Sequence, residues 1–422
     1  VLLREAAMAN LADFKYTMES CNHCGQCKWI LPARMKGWDF ASVCPLHEFH
    51  GFDAYSGQGL IQIAKERLDG KLEYGDGLET LLYACPACGA CDINCKSVRD
   101  MEVLDTIYAL REDCVEAGYL PEPLRRTAAN VEETHNIYGK PHSERFAWLP
   151  PDFRDDPEAD TALFVGCSAY RYPDIALAAI RILRAGGVKF KLLREDEWCC
   201  GAPLWRTGQR EAAEKLIRRN VDTFRRHGIH TVITACAECF GSFRGGYPRY
   251  ADTEGLEFKH ITQVAAELLS GGKLRLRKGD EPLRVTYHDP CMLGRLSEKY
   301  VPWDGEIRPY GLHVPEKVWR RGEHGVYEEP REILRALEGV ELCEMTRNLE
   351  EALCCGAAAR DVDPEFAVWT AAERRREAKA AGAQAIVSCC PFCRDALGSD
   401  GENALPYLDL TVLLAERLKE EA

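Results

Sequence analysis

The sequence predicts an α/β protein: a mainly helical N-terminal domain over residues 1–150, then a duplicated pair of α/β domains. Three observations lead there. Apolar residues recur at three- and four-residue spacing through residues 58–72 and 101–135, the period of helices with one buried face. From about residue 161 short apolar runs alternate with long amphipathic ones, the pattern of parallel strand–helix units. The same order of strands, helices and cysteines then occurs twice, over 158–275 and 281–422, which points to duplication.

At 422 residues the chain can bury a core in each domain without covalent staples. It nevertheless carries 21 cysteines, several times ordinary intracellular usage. "VLLREAAMAN" shows no apolar run and no small-residue cleavage site of a secretory signal, and Met8 is a candidate native start with Val1–Ala7 ahead of it. No stretch reaches the ~18 uncharged apolar residues of a membrane span. The chain therefore reads as cytoplasmic, or membrane-associated through a partner, where thiols stay reduced and clustered cysteines serve metal or redox chemistry. A net charge of −13 argues against nucleic acid as the main partner, because phosphate binding needs a basic excess.

Within the first domain "LIQIAKERLDG", "VLDTIYALREDCVEAG" and "LRRTAANVEETHNIYG" read as helices, with Cys114 a buried structural thiol. Residues 141–160, rich in proline and acid, read as a linker closing the domain. "CNHCGQC" supplies Cys21, Cys24 and Cys27, and Cys44 follows in "VCPLH". "CPACGACDINC" supplies Cys85, Cys88, Cys91 and Cys95 at the spacing C-x2-C-x2-C-x3-C. Three thiolates so spaced wrap one corner of a 4Fe–4S cubane, and the fourth cysteine of each run serves the other cluster. One cubane is thus expected on Cys21, Cys24, Cys27 and Cys95, and a second on Cys85, Cys88, Cys91 and Cys44. Two features depart from the usual run: 16 residues separate Cys27 from Cys44, and Lys96 stands where proline follows the fourth cysteine. Zinc sites use two paired C-x2-C units or add histidine; two triple runs speak for iron–sulfur.

In the first repeat "TALFVGC" reads as a strand, "PDIALAAIRILRAGG" as a helix, "VKFKLL" as a strand, "REAAEKLIRRNVDTFRRHGI" as a helix and "HTVITAC" as a strand, and "FKHITQVAAELLSGG" closes the unit as a helix. In the second, "RVTYHDPC", "PREILRALEG", "VELCEM", "FAVWTAAERRREAKAAGA", "QAIVSCC" and "LDLTVLLAERLKEE" follow the same order. Five cysteines fall in register: Cys167, the doublet Cys199–Cys200, then Cys236 and Cys239; and Cys291, the doublet Cys354–Cys355, then Cys390 and Cys393. All ten are expected at strand ends or in the loops after them, where open parallel sheets bind ligands. Cys343 lies inside an apolar strand and reads as core, and Cys389 is the next candidate ligand beside Cys390.

Adjacent cysteines rarely bond to each other, because the ring is strained. Two adjacent thiolates can instead reach neighbouring irons of a multinuclear cluster. Five thiolates per repeat exceed the four of a cubane, so each repeat is expected to hold a cluster of unusual connectivity, with an iron site able to open to an external sulfur.

The doubled Cys…Cys-Cys-Gly…C-x2-C pattern, with "YHDPC" at 287–291, resembles the cysteine-rich (CCG) domain pair of heterodisulfide reductases. A ferredoxin domain with two cubanes fused ahead of the pair is similar to the catalytic subunit of the membrane-linked form, and the likeness covers nearly the whole chain. The resemblance implies a noncubane 4Fe–4S cluster on the five motif cysteines of each repeat. It implies electron transfer between the cubanes and these clusters, as an oxidoreductase subunit working with other redox subunits: a flavoprotein, an electron-transfer flavoprotein, a membrane cytochrome or a tungsten enzyme. The alternative it carries is reduction of a small thiol-derived mixed disulfide at one noncubane cluster. The insertion near 296–324, between "HDPCMLGR" and "GVYEEPREIL", is similar to relay-type relatives in class II benzoyl-coenzyme A reductase complexes, and is expected to overhang the second cluster or to dock a partner. No dinucleotide fingerprint follows a strand.

His288, three residues before Cys291, is either a proton donor to a leaving thiolate or a strand-end residue that orients the loop. Arg206, Arg295 and Arg360 each follow a ligand motif; they either pair with an anionic thiol or cluster charge or lie solvated at the surface.

Overall fold

The computed structural model describes residues 10–279 and 281–419; Met8 lies outside them. The N-terminal domain is helical, as its periodicity predicts. Helix Gly57–Leu68 begins where the Ser56 hydroxyl accepts the Gly59 amide hydrogen at 3.3 Å, and it packs along helix Val103–Glu116. Leu60, Ile61 and Ala64 share one buried cluster with Ile107, Leu110 and the fully buried Cys114.

The first repeat holds a parallel sheet of β1 (Thr161–Phe164), β2 (Thr231–Thr234) and β3 (Glu257–His260), in that order. In the second repeat β4 (Leu283–Tyr287) is followed by an antiparallel hairpin inside the insertion, β5 (Glu306–Arg308) and β6 (Leu312–Val314). Then come β7 (Val340–Leu342), β8 (Ala385–Ser388) and β9 (Tyr407–Asp409), giving the parallel order β7-β4-β8-β9. The expected strand "VKFKLL" supplies only a bridge, Lys191 beside Ala162, at the place β7 fills in the second repeat. Its outer edge is taken by residues 155–156: Asp156 donates its amide to Phe190 O (3.0 Å), and Leu192 donates to Asp155 Oδ2 (2.9 Å). The segment read as a linker is therefore packed on the first repeat, with Phe153 in the core and Arg145 fully buried against Glu197. Each repeat also carries a short last strand, β3 or β9, where the sequence pattern merges into the closing helix.

One apolar core runs through both repeats. Helix Ile261–Ser270, last in the first repeat, packs on helix Glu328–Ala336, first in the second; helix Leu410–Glu416, last in the second, packs on Pro173–Ala185, first in the first. This reciprocal exchange is how a duplicated unit covers two apolar faces with its own copy.

The insertion runs across the N-terminal domain. Lys317 pairs with Glu102 at 2.8 Å, Arg320 with Asp105 at 3.3 Å and Arg321 with Asp100 at 2.6 Å, while Trp319 lies 6.0 Å from the Lys96 ammonium. Lys96, in place of the usual proline, is wholly buried between Asp92 and Glu102, both at 2.6 Å. Arg249 of the first repeat reaches the same Asp105 at 2.8 Å. A buried charge must be paired to be tolerated, and here the pairing joins three parts of the chain.

Candidate iron–sulfur sites

The structure gathers the eight N-terminal motif cysteines round two cavities of similar empty volume, about 410 and 390 Å3 including the space open to solvent. Cys21, Cys24, Cys27 and Cys95 line the first; Cys44, Cys85, Cys88 and Cys91 line the second. Each set takes its fourth cysteine from across the other run. Gly57 separates the cavities: a Cβ there would lie 2.9 Å from Cys91 Cβ and 3.3 Å from Cys27 Cβ. Cys24 is exposed, so the first cavity is the outer one.

Burial makes several of these thiols poor acids on their own. Burial pushes Cys27 up to about 11 and Cys95 up to about 12, and pushes Cys44 and Cys91 further still. No disulfide joins any of the 21 cysteines. Soft donors packed away from water ionise when a cation binds them, so each cavity suits a thiolate-bound iron–sulfur group.

In the repeats the five sulfurs lie close enough to act on one another's protons, in the same order: Cys167, Cys199, Cys200, Cys239 and Cys236 in the first and Cys291, Cys354, Cys355, Cys393 and Cys390 in the second. Protons are shared unequally within each set. Cys200 is drawn down to about 6, first by Cys199 and then by Cys239, and Cys355 is drawn well down, first by Cys354. Cys167, Cys239, Cys354 and Cys393 are driven well up. A polynuclear cation that took these thiolates together would remove the unequal sharing. The glycine after each doublet sits in the left-handed region, Gly201 at φ +83° and Gly356 at φ +85°. Its amide donates to the first sulfur of the doublet, at 3.5 Å to Cys199 and 3.4 Å to Cys354. That turn is the reason for Cys-Cys-Gly: it splays two neighbouring side chains onto one site and adds a backbone donor.

The sites adjoin one another. Cys88 and Cys354 share one buried cluster, and Cys354 draws Cys88 down to about 5, so the inner N-terminal cavity abuts the second repeat's site. The two repeat sites face each other, with Cys236 among the charges acting on Cys390. Arg171 and Asp395 (2.8 Å) and Arg394 and Asp174 (2.7 Å) close the seam between them.

Arg206 and Arg295 are not solvated. Arg206 donates to Pro86 O at 2.9 Å and pairs with Glu238; Arg295 donates to Cys88 O at 2.7 Å and to Ala352 O at 2.8 Å. One arginine from each repeat thus holds the Cys-Pro-Ala-Cys loop. Arg360 is the surface case, half-exposed and paired with Asp361 and Asp395. His288 is buried beside Cys355 and Cys393. Cys389 turns away from the site, its sulfur 3.0 Å from the Tyr287 hydroxyl. Half-buried Cys343 follows β7 and donates to Val285 O at 3.3 Å. Sequence reasoning missed Arg374, which contacts His288 from helix Pro364–Ala380.

Among known families, a 4Fe–4S dicluster domain matches residues 17–98 and a cysteine-rich domain matches residues 161–244 and 311–398. The chain is 33% identical over 423 aligned residues to one subunit of the dihydromethanophenazine:CoB–CoM heterodisulfide reductase of Methanosarcina barkeri, covering 95% of this chain and 94% of that one. It is 28% identical to one subunit of the fumarate reductase (CoM/CoB) of Methanothermobacter marburgensis (80% of this chain, 62% of the other). It is 27% identical to EtfAB:quinone oxidoreductase of Syntrophomonas wolfei (75% and 43%). Among the described residues no helix is long and apolar enough to cross a membrane.

Proposed function

We propose, from the premise that this chain belongs to the heterodisulfide reductase family of iron–sulfur oxidoreductase subunits, that it is an electron-transfer subunit holding four iron–sulfur clusters in a fixed row. Cys21, Cys24, Cys27 and Cys95 hold an outer cubane, and Cys44, Cys85, Cys88 and Cys91 an inner one. The second repeat's five cysteines and the first repeat's five hold noncubane clusters. One-electron transfer is the chemistry these groups supply. The chain's own part is to set their order and exclude water, with Arg206 and Arg295 fixing the inner loop against both repeats.

The observation that carries this reading is the packing of Cys88 with Cys354 in one buried cluster, which supports an inner cubane beside the second repeat's site. Electrons would enter or leave at the outer site, where Cys24 is exposed and another redox protein, such as an electron-transfer flavoprotein, can approach. The second reading, a disulfide reductase, is favoured by one observation. Of the ten repeat cysteines nine are buried and Cys291 is half-buried, so an external sulfur would arrive at the second site.

Anaerobically purified protein is expected to hold about 16 iron atoms and a similar amount of sulfide per chain, for four four-iron clusters. Stoichiometric zinc with fewer than about eight irons overturns the reading. Dye-linked assays separate the two terminal roles: a relay reduces no disulfide on its own, and rapid disulfide reduction by the isolated chain moves the reaction to the site of Cys291.

A further inference from the structure

The two repeat sites share their sulfur order and their glycine donor, yet they differ in the residue at the end of the first strand. β1 ends at Phe164, which pairs with Thr234 in β2. In the second repeat Tyr287 pairs with Val387, the next amide, of His288, donates to Val387 O at 2.8 Å, and Ser388 Oγ donates to His288 O at 2.8 Å. His288 therefore occupies the place of Phe164. It is 1% exposed, and its imidazole, Cys355 Sγ and Cys393 Sγ lie within 4.8 Å of one another.

The hydrogen on that imidazole can be placed. Arg374 Nε lies 3.1 Å from His288 Nδ1, and a guanidinium only donates, so Nδ1 offers its lone pair and the proton is on Nε2. Nε2 is buried without a hydrogen-bond partner, sulfur included, and the imidazole stands in one group with the Cys355 and Cys393 sulfurs, where a sulfur acceptor would meet it. Arg374 is itself fixed: Nη1 donates to Arg347 O at 2.8 Å and to Glu377 at 2.6 Å, and Arg347 in turn donates to Ser42 O of the N-terminal domain at 2.9 Å. A histidine that ligates a metal gives its other N–H to an acceptor. Here the other nitrogen meets a donor, the wrong polarity for a ligand. The same contact leaves a neutral ring whose single proton cannot depart without forming an imidazolate.

We propose that His288 is a positioning residue, a fixed Nε2–H donor to the Cys355 sulfur held by Arg374, and that it sets the second repeat's cluster at a higher reduction potential than the first repeat's, where Phe164 offers no donor. Hydrogen bonds to cluster sulfurs are one of the terms that set such potentials. The proposal rests on the cluster reading of the repeats, which the iron assay above decides separately.

The test is a redox titration of the full-length, anaerobically purified protein, followed by low-temperature magnetic resonance. The second-repeat signal is identified as the one lost in Cys393→Ala. His288→Phe, which installs the first repeat's residue, is expected to shift that signal about tenfold toward the oxidised form at a fixed potential, about 59 mV for a one-electron couple. The first-repeat signal stays in place, and His288→Gln, whose amide can donate from the position of Nε2, restores most of the shift. An unmoved signal in His288→Phe, or an equal shift at both sites, overturns the proposal. So does loss of second-site iron in both variants of a folded chain, which would make His288 a ligand or a scaffold residue. Iron missing from both repeats of the parent protein overturns the cluster reading instead.

Discussion

In the first repeat the site is closed from outside by the segment that leads into it. The Cys199 amide donates to His135 O at 2.9 Å, and Arg145 pairs with Glu197 at 3.2 Å. Glu197 accepts the Val165 and Gly166 amides at 3.0 and 2.9 Å. In the second repeat the corresponding loop belongs to Asp289, which holds Arg331 at 2.7 Å and accepts the Leu349 amide at 2.9 Å. Its cysteines meet the N-terminal domain rather than a covering segment. Strand order and helix exchange are common to both repeats, so topology is set by apolar packing. The loops beyond the strand ends are free to differ, and in the proposed electron path the difference makes one site a junction and the other a terminus.

The strongest way to break this comparison is to remove a ligand from each repeat in turn. Cys355→Ala and Cys200→Ala are each expected to lose one cluster, about four of about 16 irons. They should differ in what remains reducible. With the junction removed, the first-repeat signal should lose its fast reduction by a dye that reacts at the outer site. With the terminus removed, the second-repeat signal should reduce at the parent rate. Rapid-freeze magnetic resonance reads both. Equal behaviour of the two variants would show that the row is not the path.

A smaller contrast lies in the two turn glycines. A Cβ at Gly201 would stand 3.4 Å from Ile217, an ordinary contact, so Gly201→Ala carries only the left-handed backbone penalty of about 1–2 kcal/mol. At Gly356 the same atom would fall 2.9 Å from Ala367 O and 3.0 Å from Thr370 Cβ. Overpacking adds about 1–3 kcal/mol there. Thermal unfolding should therefore rank Gly356→Ala clearly below Gly201→Ala. The reverse order would mean that the helix Pro364–Ala380 yields more readily than its contacts suggest.

Cysteine spacing made the sites legible, because ligands to a shared cluster must recur at fixed intervals whatever lies between. Apolar periodicity made the helices and central strands legible for a similar reason. What it left dark depended on distant partners. "VKFKLL" has strand character, yet its outer edge is filled by Asp155 and Asp156, whose proline-rich surroundings read as a linker. Lys96 stood out as a departure, and its meaning needed Lys317 and Trp319, more than 200 residues on. Arg206 and Arg295 carry no local mark that separates them from Arg360; burial against backbone carbonyls of another domain decides it.

The finest contrast is in the caps of the two last helices. His260 and Asp409 end the equivalent strands β3 and β9 and cap the helices that follow. His260 Nδ1 accepts the Thr262 amide at 3.3 Å, and Asp409 Oδ1 accepts the Thr411 amide at 2.9 Å. Burial drives the two in opposite directions from their ordinary values: His260 from 6.5 down to about 3, and Asp409 from 3.8 up to about 7. The depressed histidine gives stability that is full above about 6.5 and is lost as pH falls toward 3. The raised aspartic acid gives stability that is full below about 3.8 and is lost as pH rises through 7. At about 1.4 kcal/mol per pH unit, each is worth about 2 kcal/mol between pH 5 and 6.5, and in the parent chain the two slopes oppose. Asparagine caps helices as well as either residue and does not titrate. His260→Asn should therefore gain stability over the parent as pH falls from 7 to 5, while Asp409→Asn should gain as pH rises over the same range. Thermal unfolding of anaerobic protein at pH 5, 6 and 7 reads both slopes. Slopes of the same sign would mean that the two caps do not titrate as their burial requires.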